Sequence, residues 1–281
     1  MFAIAKRIQW SFNDYGEDKF GVMMGGLHIE MAIMNVIGDW VADSGWAYLL
    51  SKANVANIGN AELFEDVSHV MKTRNAHQVT ASALYILQRQ AYEEYTSDSN
   101  DEAMPLEEWI QHQENIHPQF KYWNIVLHLR LALIFVRSIR EGKFVLHIQT
   151  IKELLPWLFA LDHEHGARWL SVHLRDMSSL HITHPTIYQE FQDGKFVGLK
   201  SERAFSSLAT DQIHEQNNAN VKGNGGAIGL FDTPNALRRW MIAGPELARL
   251  KEEYERSFGE KVADDAITKS FPATRKNLKK M

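Results

Sequence analysis

Cysteine is absent from this chain of 281 residues. That excludes disulfides, thiol nucleophiles and every cysteine-based zinc site, and it suits a reducing compartment. Met1–Trp10 lacks the charged segment and apolar stretch of a secretory signal. The most apolar run, Ile125–Val136, is too short to span a bilayer and holds His128 and Arg130. It reads as a buried helix. The chain shows no repeat of solenoid period, no Gly-x-Ser-x-Gly elbow, no His-Glu-x-x-His helix and no EF-hand loop. These absences point to an intracellular protein with no membrane partner and no common hydrolase or zincin chemistry.

What is present is globular. Hydrophobic residues make up 45% and charged residues 23%, and eight Trp with 14 Phe supply large core anchors. The length suits one large domain or two ordinary ones. Net charge is −5, yet Lys269–Met281 carries five cations and no acid, so the remainder stands at −10. An acidic body argues against broad electrostatic binding to nucleic acid. The basic tail reads as a nuclear address, a nucleic-acid arm or a soluble end.

Periodicity predicts mostly helix. Phe2–Trp10 groups Ile4, Ala5 and Ile8 on one face, which needs something to pack on. Phe20–Met24 is a short apolar run stopped by Gly25-Gly26 and fits a buried strand. From His28 a core-facing stripe recurs through Ile29, Ile33, Val36, Ile37 and Trp40 until Asp43-Ser44-Gly45 interrupts it. Ala76–Tyr95, Phe120–Arg140, Phe144–Leu161 (with a kink at Pro156) and Gly166–Met177 follow as helices. Phe196–Leu199 reads as a second strand. The expected fold is mainly α with a small β component: a small sheet built from both ends around a helical insertion, or an all-helical bundle. The organisation reads as residues 1–50 and 196–258 for the two parts of a core, 51–195 for the insertion, and 259–281 for a disordered basic tail.

Chemistry-bearing side chains concentrate in Thr210–Leu230. Asp211 and Glu215 stand four apart, so a helix puts both carboxylates on one face. Like charges there repel unless a cation sits near them, and hard carboxylate oxygens suit Mg²⁺ or Mn²⁺ in phosphoryl transfer. The plainer reading is a solvated helix start, which residue type alone favours. His214, Asn217, Asn218, Lys222, Gly225 and Gly226 are the candidate binding residues beside the pair. The glycine run after Lys222 offers backbone N–H groups to a phosphate but matches neither a P-loop nor a dinucleotide fingerprint, so it also reads as a connector. His28 and Glu30 follow Gly25-Gly26, either as site residues at a strand end or as a helix cap and first-turn acid. Asp162–His165 contains metal-capable types in no recognised zinc spacing and reads as a surface turn.

The blocks MGGLHIEMA, GDWVADSGW, RNAHQVTASALY, PWLFALDH, RWLSVHLRDM, DQIHEQNNANVKGNGGAIGL and LRRWMIAGPE resemble a transposon-derived family dispersed in aquatic invertebrate and fish genomes. The resemblance runs from Met1 to about Glu255. It implies a ribonuclease H-like transposase core split by a helical insertion, with Glu215 matching the late glutamate. It also implies chain upstream of Met1, where a strand and a first carboxylate are expected, so the sequence reads as a fragment or degenerate copy. In this leading reading, Glu215, Asp211 and His28 are the catalytic candidates, Glu215 and Asp211 the ligands of Mg or Mn, and DNA the substrate. The alternative is a non-enzymatic helical interaction or nucleic-acid-binding protein. A third reading, a phosphate-binding enzyme using Lys222 and the glycine loop, predicts that nucleotides raise thermal stability.

Overall fold

A computed structural model describes residues 1–56, 70–98, 103–129, 131–201 and 203–222, with single positions at 235, 238, 242, 243 and 249. The chain divides into two compact units, one holding residues 1–210 and the other 211–273.

The first unit is helical. Its described elements are α1 (Phe2–Ser11), α2 (Gly26–Val41), α3 (Trp46–Lys52), α4 (Val70–Asp98), α5 (Leu106–Ile116), α6 (Pro118–His128), α7 (Leu131–Glu141), α8 (Phe144–Ala160), α9 (Glu164–Thr183) and α10 (Pro185–Gln192). Strands β1 (Gly198–Leu199) and β2 (Ser207–Leu208) follow, and α11 (Thr210–Lys222) leads into the second unit. The protein is mainly α, and among the described residues its one sheet is this antiparallel pair, with Gly198 opposite Leu208.

Helix α2 runs through the core. Ile29, Ile33, Val36, Ile37 and Val41 are all buried, the spacing of a core-facing stripe. It packs on α7, α8 and α9, which form an antiparallel succession joined by short turns. Asp43 and Gly45 take positive φ of 56° and 81° and end it. Gly26 is required for packing: a Cβ there would stand 3.0 Å from both Ala209 Cβ and Ile139 Cδ1. Gly26 therefore lets α2 approach its core neighbours closely.

Three sequence expectations change. Phe20–Met24 is not a strand. Its backbone groups bond to side chains in place of a ladder: Gln9 Nε2 donates to Phe20 O, and Met24 N donates to His173 Nδ1 at 3.2 Å. Phe196–Leu199 does contribute a strand, but its partner is β2, close in sequence, and not the run near the start. The apolar stretch of residues 120–140 is two helices, with Leu129 in the break. The division lets α6 pack on α4 and α5 while α7 packs on α2 and α8. Pro118–Glu141 is the one stretch among the described residues long and apolar enough to cross a membrane. Val126, Leu127, Leu129, Phe135, Val136 and Ile139 of that stretch are buried within the protein.

Helix α1 inverts the expected orientation. Lys6 and Gln9 are buried, while Ile4 and Ile8 are exposed. Lys6 Nζ lies 2.8 Å from Asp176 and also pairs with Glu17, so charge pairing docks this helix together with the ring contacts of Phe2 and Trp10 on Trp169. Pro156 sits inside α8, which continues to Ala160.

Candidate functional site

Asp211, His214, Glu215, Asn217, Asn218 and Lys222 all lie on α11, in the turns the sequence predicts for the acidic pair. Asp211 is half-buried and its Oδ1 accepts from Gln212 N at 3.1 Å. His214, Glu215 and Asn218 are exposed. Asp211 and Glu215 thus share a helical face through their spacing alone. His28 is an exposed residue in the first turn of α2, in the other unit. Gly225 and Gly226 lie outside the described residues. Among the described residues, no three His, Asp or Glu side chains are grouped to hold a metal ion.

The other sequence candidates have structural employment. Glu30 is not a solvated first-turn acid: it is buried and forms a bidentate pair with Arg74, Nε to Oε1 at 2.8 Å and Nη2 to Oε2 at 2.7 Å. Arg140 lies in the same buried group and donates to Ser207 O at 3.2 Å. Burial holds the Arg140 guanidinium at about 10; the charge of Arg74 adds to this and Glu30 opposes it. His163, within the Asp162–His165 turn, sets Nε2 2.8 Å from Asp39 Oδ2 and ties the end of α2 to the start of α9.

Buried histidines form a second polar feature that sequence spacing did not reveal. His147 and His173 meet edge-to-face, with ring centroids 6.4 Å apart, among Phe2, Phe135 and Phe196. His77 stacks on Trp46 at 5.0 Å. Burial lowers all three from 6.5: His77 and His173 to about 4 and His147 to about 3, with His173 adding to the depression of His147 and Asp176 opposing that of His173. Each is a neutral core group at physiological pH. Met24 N occupies His173 Nδ1, so the proton of that ring sits on Nε2, which has no hydrogen-bond partner.

A large apolar concavity lies elsewhere in the first unit, between α4 and α6 with α3 closing one end. It encloses about 560 Å³, within the range of about 300–1,000 Å³ typical of ligand clefts. Trp46 and Leu127 are buried in its floor, whereas Leu49 and Leu87 stand on its rim, the latter 60% exposed. Three of its polar side chains, Thr80, Gln88 and Asn124, are engaged locally. Trp46 Nε1 donates to Thr80 Oγ1 at 2.8 Å, and Thr80 Oγ1 donates to Ala76 O. Gln88 Nε2 donates to Asn124 Oδ1 at 2.8 Å, and Asn124 Nδ2 to Glu114 at 2.6 Å. This amide ladder pins α4, α6 and α5 together beside the groove. An aromatic cluster of Tyr92, Tyr95, Trp109 and Phe120 braces the far end.

A family model described as a domain of unknown function, DUF8702, matches residues 64–278, well over half of the chain. The chain belongs to that family. No curated protein and no solved structure matches it significantly. The DUF8702 match covers the α4 and α6 walls of the groove and α11, while Trp46 and Leu49 precede it. One sequence signal for the groove was available: RNAHQVTASALY opens a helix whose apolar stripe continues past the residues that α2 and α3 need. What hid the groove is that a stripe facing a core and a stripe facing an unfilled concavity have the same spacing.

Proposed function

We propose that this protein is a non-enzymatic helical interaction module that engages a partner through the groove between α4 and α6. The observation that carries the reading is an apolar concavity whose rim residues remain exposed and whose floor polar groups are already paired. Contiguous exposed apolar surface in a folded domain marks an interaction site more often than isolated apolar residues do. Site-specific photo-crosslinking tests it. Benzoylphenylalanine at position 87 should trap a partner through the groove, with the adduct lost on Leu49→Asp, whereas the same group at exposed position 153 of α8 should not. Equal trapping at both positions overturns the reading.

A transposon-derived ancestry is the second reading, favoured by the sequence blocks quoted above and by the Asp211/Glu215 pair on one helix. In it the chain descends from a metal-dependent strand-transferase with a ribonuclease H-like core, and Glu215 is the retained ligand for Mg²⁺ or Mn²⁺. Manganese-dependent nicking of supercoiled DNA should then fall on Glu215→Ala. Equal nicking by both proteins removes this reading without touching the first.

A further inference from the structure

The groove is shaped by two helical stripes, and among the described residues no third helix lies between them. On α4 the lining positions are Thr80, Ala83, Leu84, Leu87, Gln88 and Ala91, the i, i+3, i+4, i+7 series a helix presents to a packed neighbour. On α6, Phe120, Trp123 and Leu127 repeat the pattern. The eleven steps from Thr80 to Ala91, at about 1.5 Å each, give a trough of roughly 16 Å, the length of three helical turns. With Thr80, Gln88 and Asn124 engaged to one another or to backbone, the floor asks for apolar side chains.

Charge at one end selects further. Carried past Ala91, the same face of α4 reaches Glu94 and Asp98, both exposed. Among the cations on these helices, Arg89 is already paired with Glu93 at 3.5 Å, and Lys121 of α6 is exposed.

Resting on the interaction reading, we propose that the groove binds an amphipathic helix of about three turns, apolar along the α4–α6 seam and basic at the end lying over Glu94 and Asp98. Apolar anchors supply the contact area, and the acidic end sets the direction of the helix and rejects acidic segments.

Fluorescence anisotropy with the full chain tests this. The probes are labelled model peptides of about 14 residues: an amphipathic Leu/Lys helix, its Leu/Glu counterpart, and the Leu/Lys composition in a non-amphipathic order. The amphipathic Leu/Lys peptide should bind at least about tenfold more tightly than either control. Leu87→Asp, at an exposed position, should cost at least about tenfold with an unchanged circular dichroism spectrum. The double variant Glu94→Lys, Asp98→Lys should erase the Lys-over-Glu preference and the salt dependence. Leu/Lys binding that survives Leu87→Asp, or that the disordered sequence matches, overturns the helix assignment. Equal binding of Leu/Lys and Leu/Glu helices, both lost in Leu87→Asp, overturns the charge selection while leaving the interaction reading intact. No peptide binding, with a dimer in light scattering that Leu87→Asp dissociates, overturns the proposal in favour of a second copy of the chain. No binding by a monomer overturns a helical occupant altogether.

Discussion

The two halves of α4 reverse the usual rule for a helix in a globular protein. Its first part is polar and buried: Thr73, Arg74, His77 and Thr80 lie inside, with Arg74 locked on Glu30 and His77 stacked on Trp46. Its middle is apolar and exposed, with Tyr85 at 56%, Ile86 at 45% and Leu87 at 60%. A second concavity of about 470 Å³ runs along its other flank beside Tyr85, Ile86, Leu133 and Ile134. Burying charged groups needs a complete set of partners, which the first half has. Exposing apolar groups costs little for folding and gains when something covers them, which is where the second half stands. Stability and recognition are thus carried by adjacent turns of one helix.

Acid should weaken the buried polar groups first and hardest, through His77 in the first half of α4 and through His147 and His173 in α8 and α9. The three histidines have folded-state values below their unfolded value of 6.5. The unfolded chain therefore gains protons first as pH falls, and stability that is full above about 6.5 is lost progressively down to about 3–4. A displacement from 6.5 to about 4 is worth about 3 kcal/mol for His77 alone. The other two act in the same direction, so thermal unfolding followed from pH 8 to pH 4 should show a pronounced fall in midpoint. His77→Phe should flatten that slope, and an unchanged slope would assign the acid sensitivity to other groups.

Removing one partner of the ion pair is the next largest effect. Arg74→Ala leaves the Glu30 carboxylate buried and unpaired, with an expected loss of about 3–5 kcal/mol in urea unfolding. The double replacement Glu30→Met, Arg74→Met should recover most of that loss, because both charges then leave the interior together. If the double variant is as unstable as the single one, packing of Arg74 and not charge holds this part of α4.

Smaller changes probe the boundary between the halves. Trp46→Phe keeps an aromatic ring on His77 but removes the donor to Thr80, for about 1 kcal/mol by the same unfolding measurement. Leu87→Asp should change stability by no more than about 0.5 kcal/mol, as for an exposed position. A large loss at position 87 would show that the exposed half already carries folding energy, and the contrast would collapse.

Much of the fold was legible. The stripe of α2, its stop at Asp43–Gly45 and the continuous pattern from Ala76 to Tyr95 follow from spacing and turn chemistry. The non-strand path of Phe20–Met24 was not, because its partners, Gln9 and His173, are 11 and 149 residues away. The same distance problem hid Glu30 with Arg74, 44 residues apart. Composition could not forecast an N-terminal helix that buries Lys6 and exposes Ile4, since Asp176, which helps make that orientation favourable, is distant in sequence. Of the candidate site residues, the helical register of Asp211 and Glu215 was readable from their spacing. The groove was not, since it is walled by α4 and α6, whose lining residues are far apart in sequence.

The sequence by itself determined a helical protein without thiol chemistry, because periodicity and composition act locally and need no partner. Tertiary structure decided which polar groups went inside and which apolar ones stayed out. That choice rests on pairing: a buried charge is tolerated only beside its counter-charge, and an apolar stripe is core only where another helix arrives to cover it.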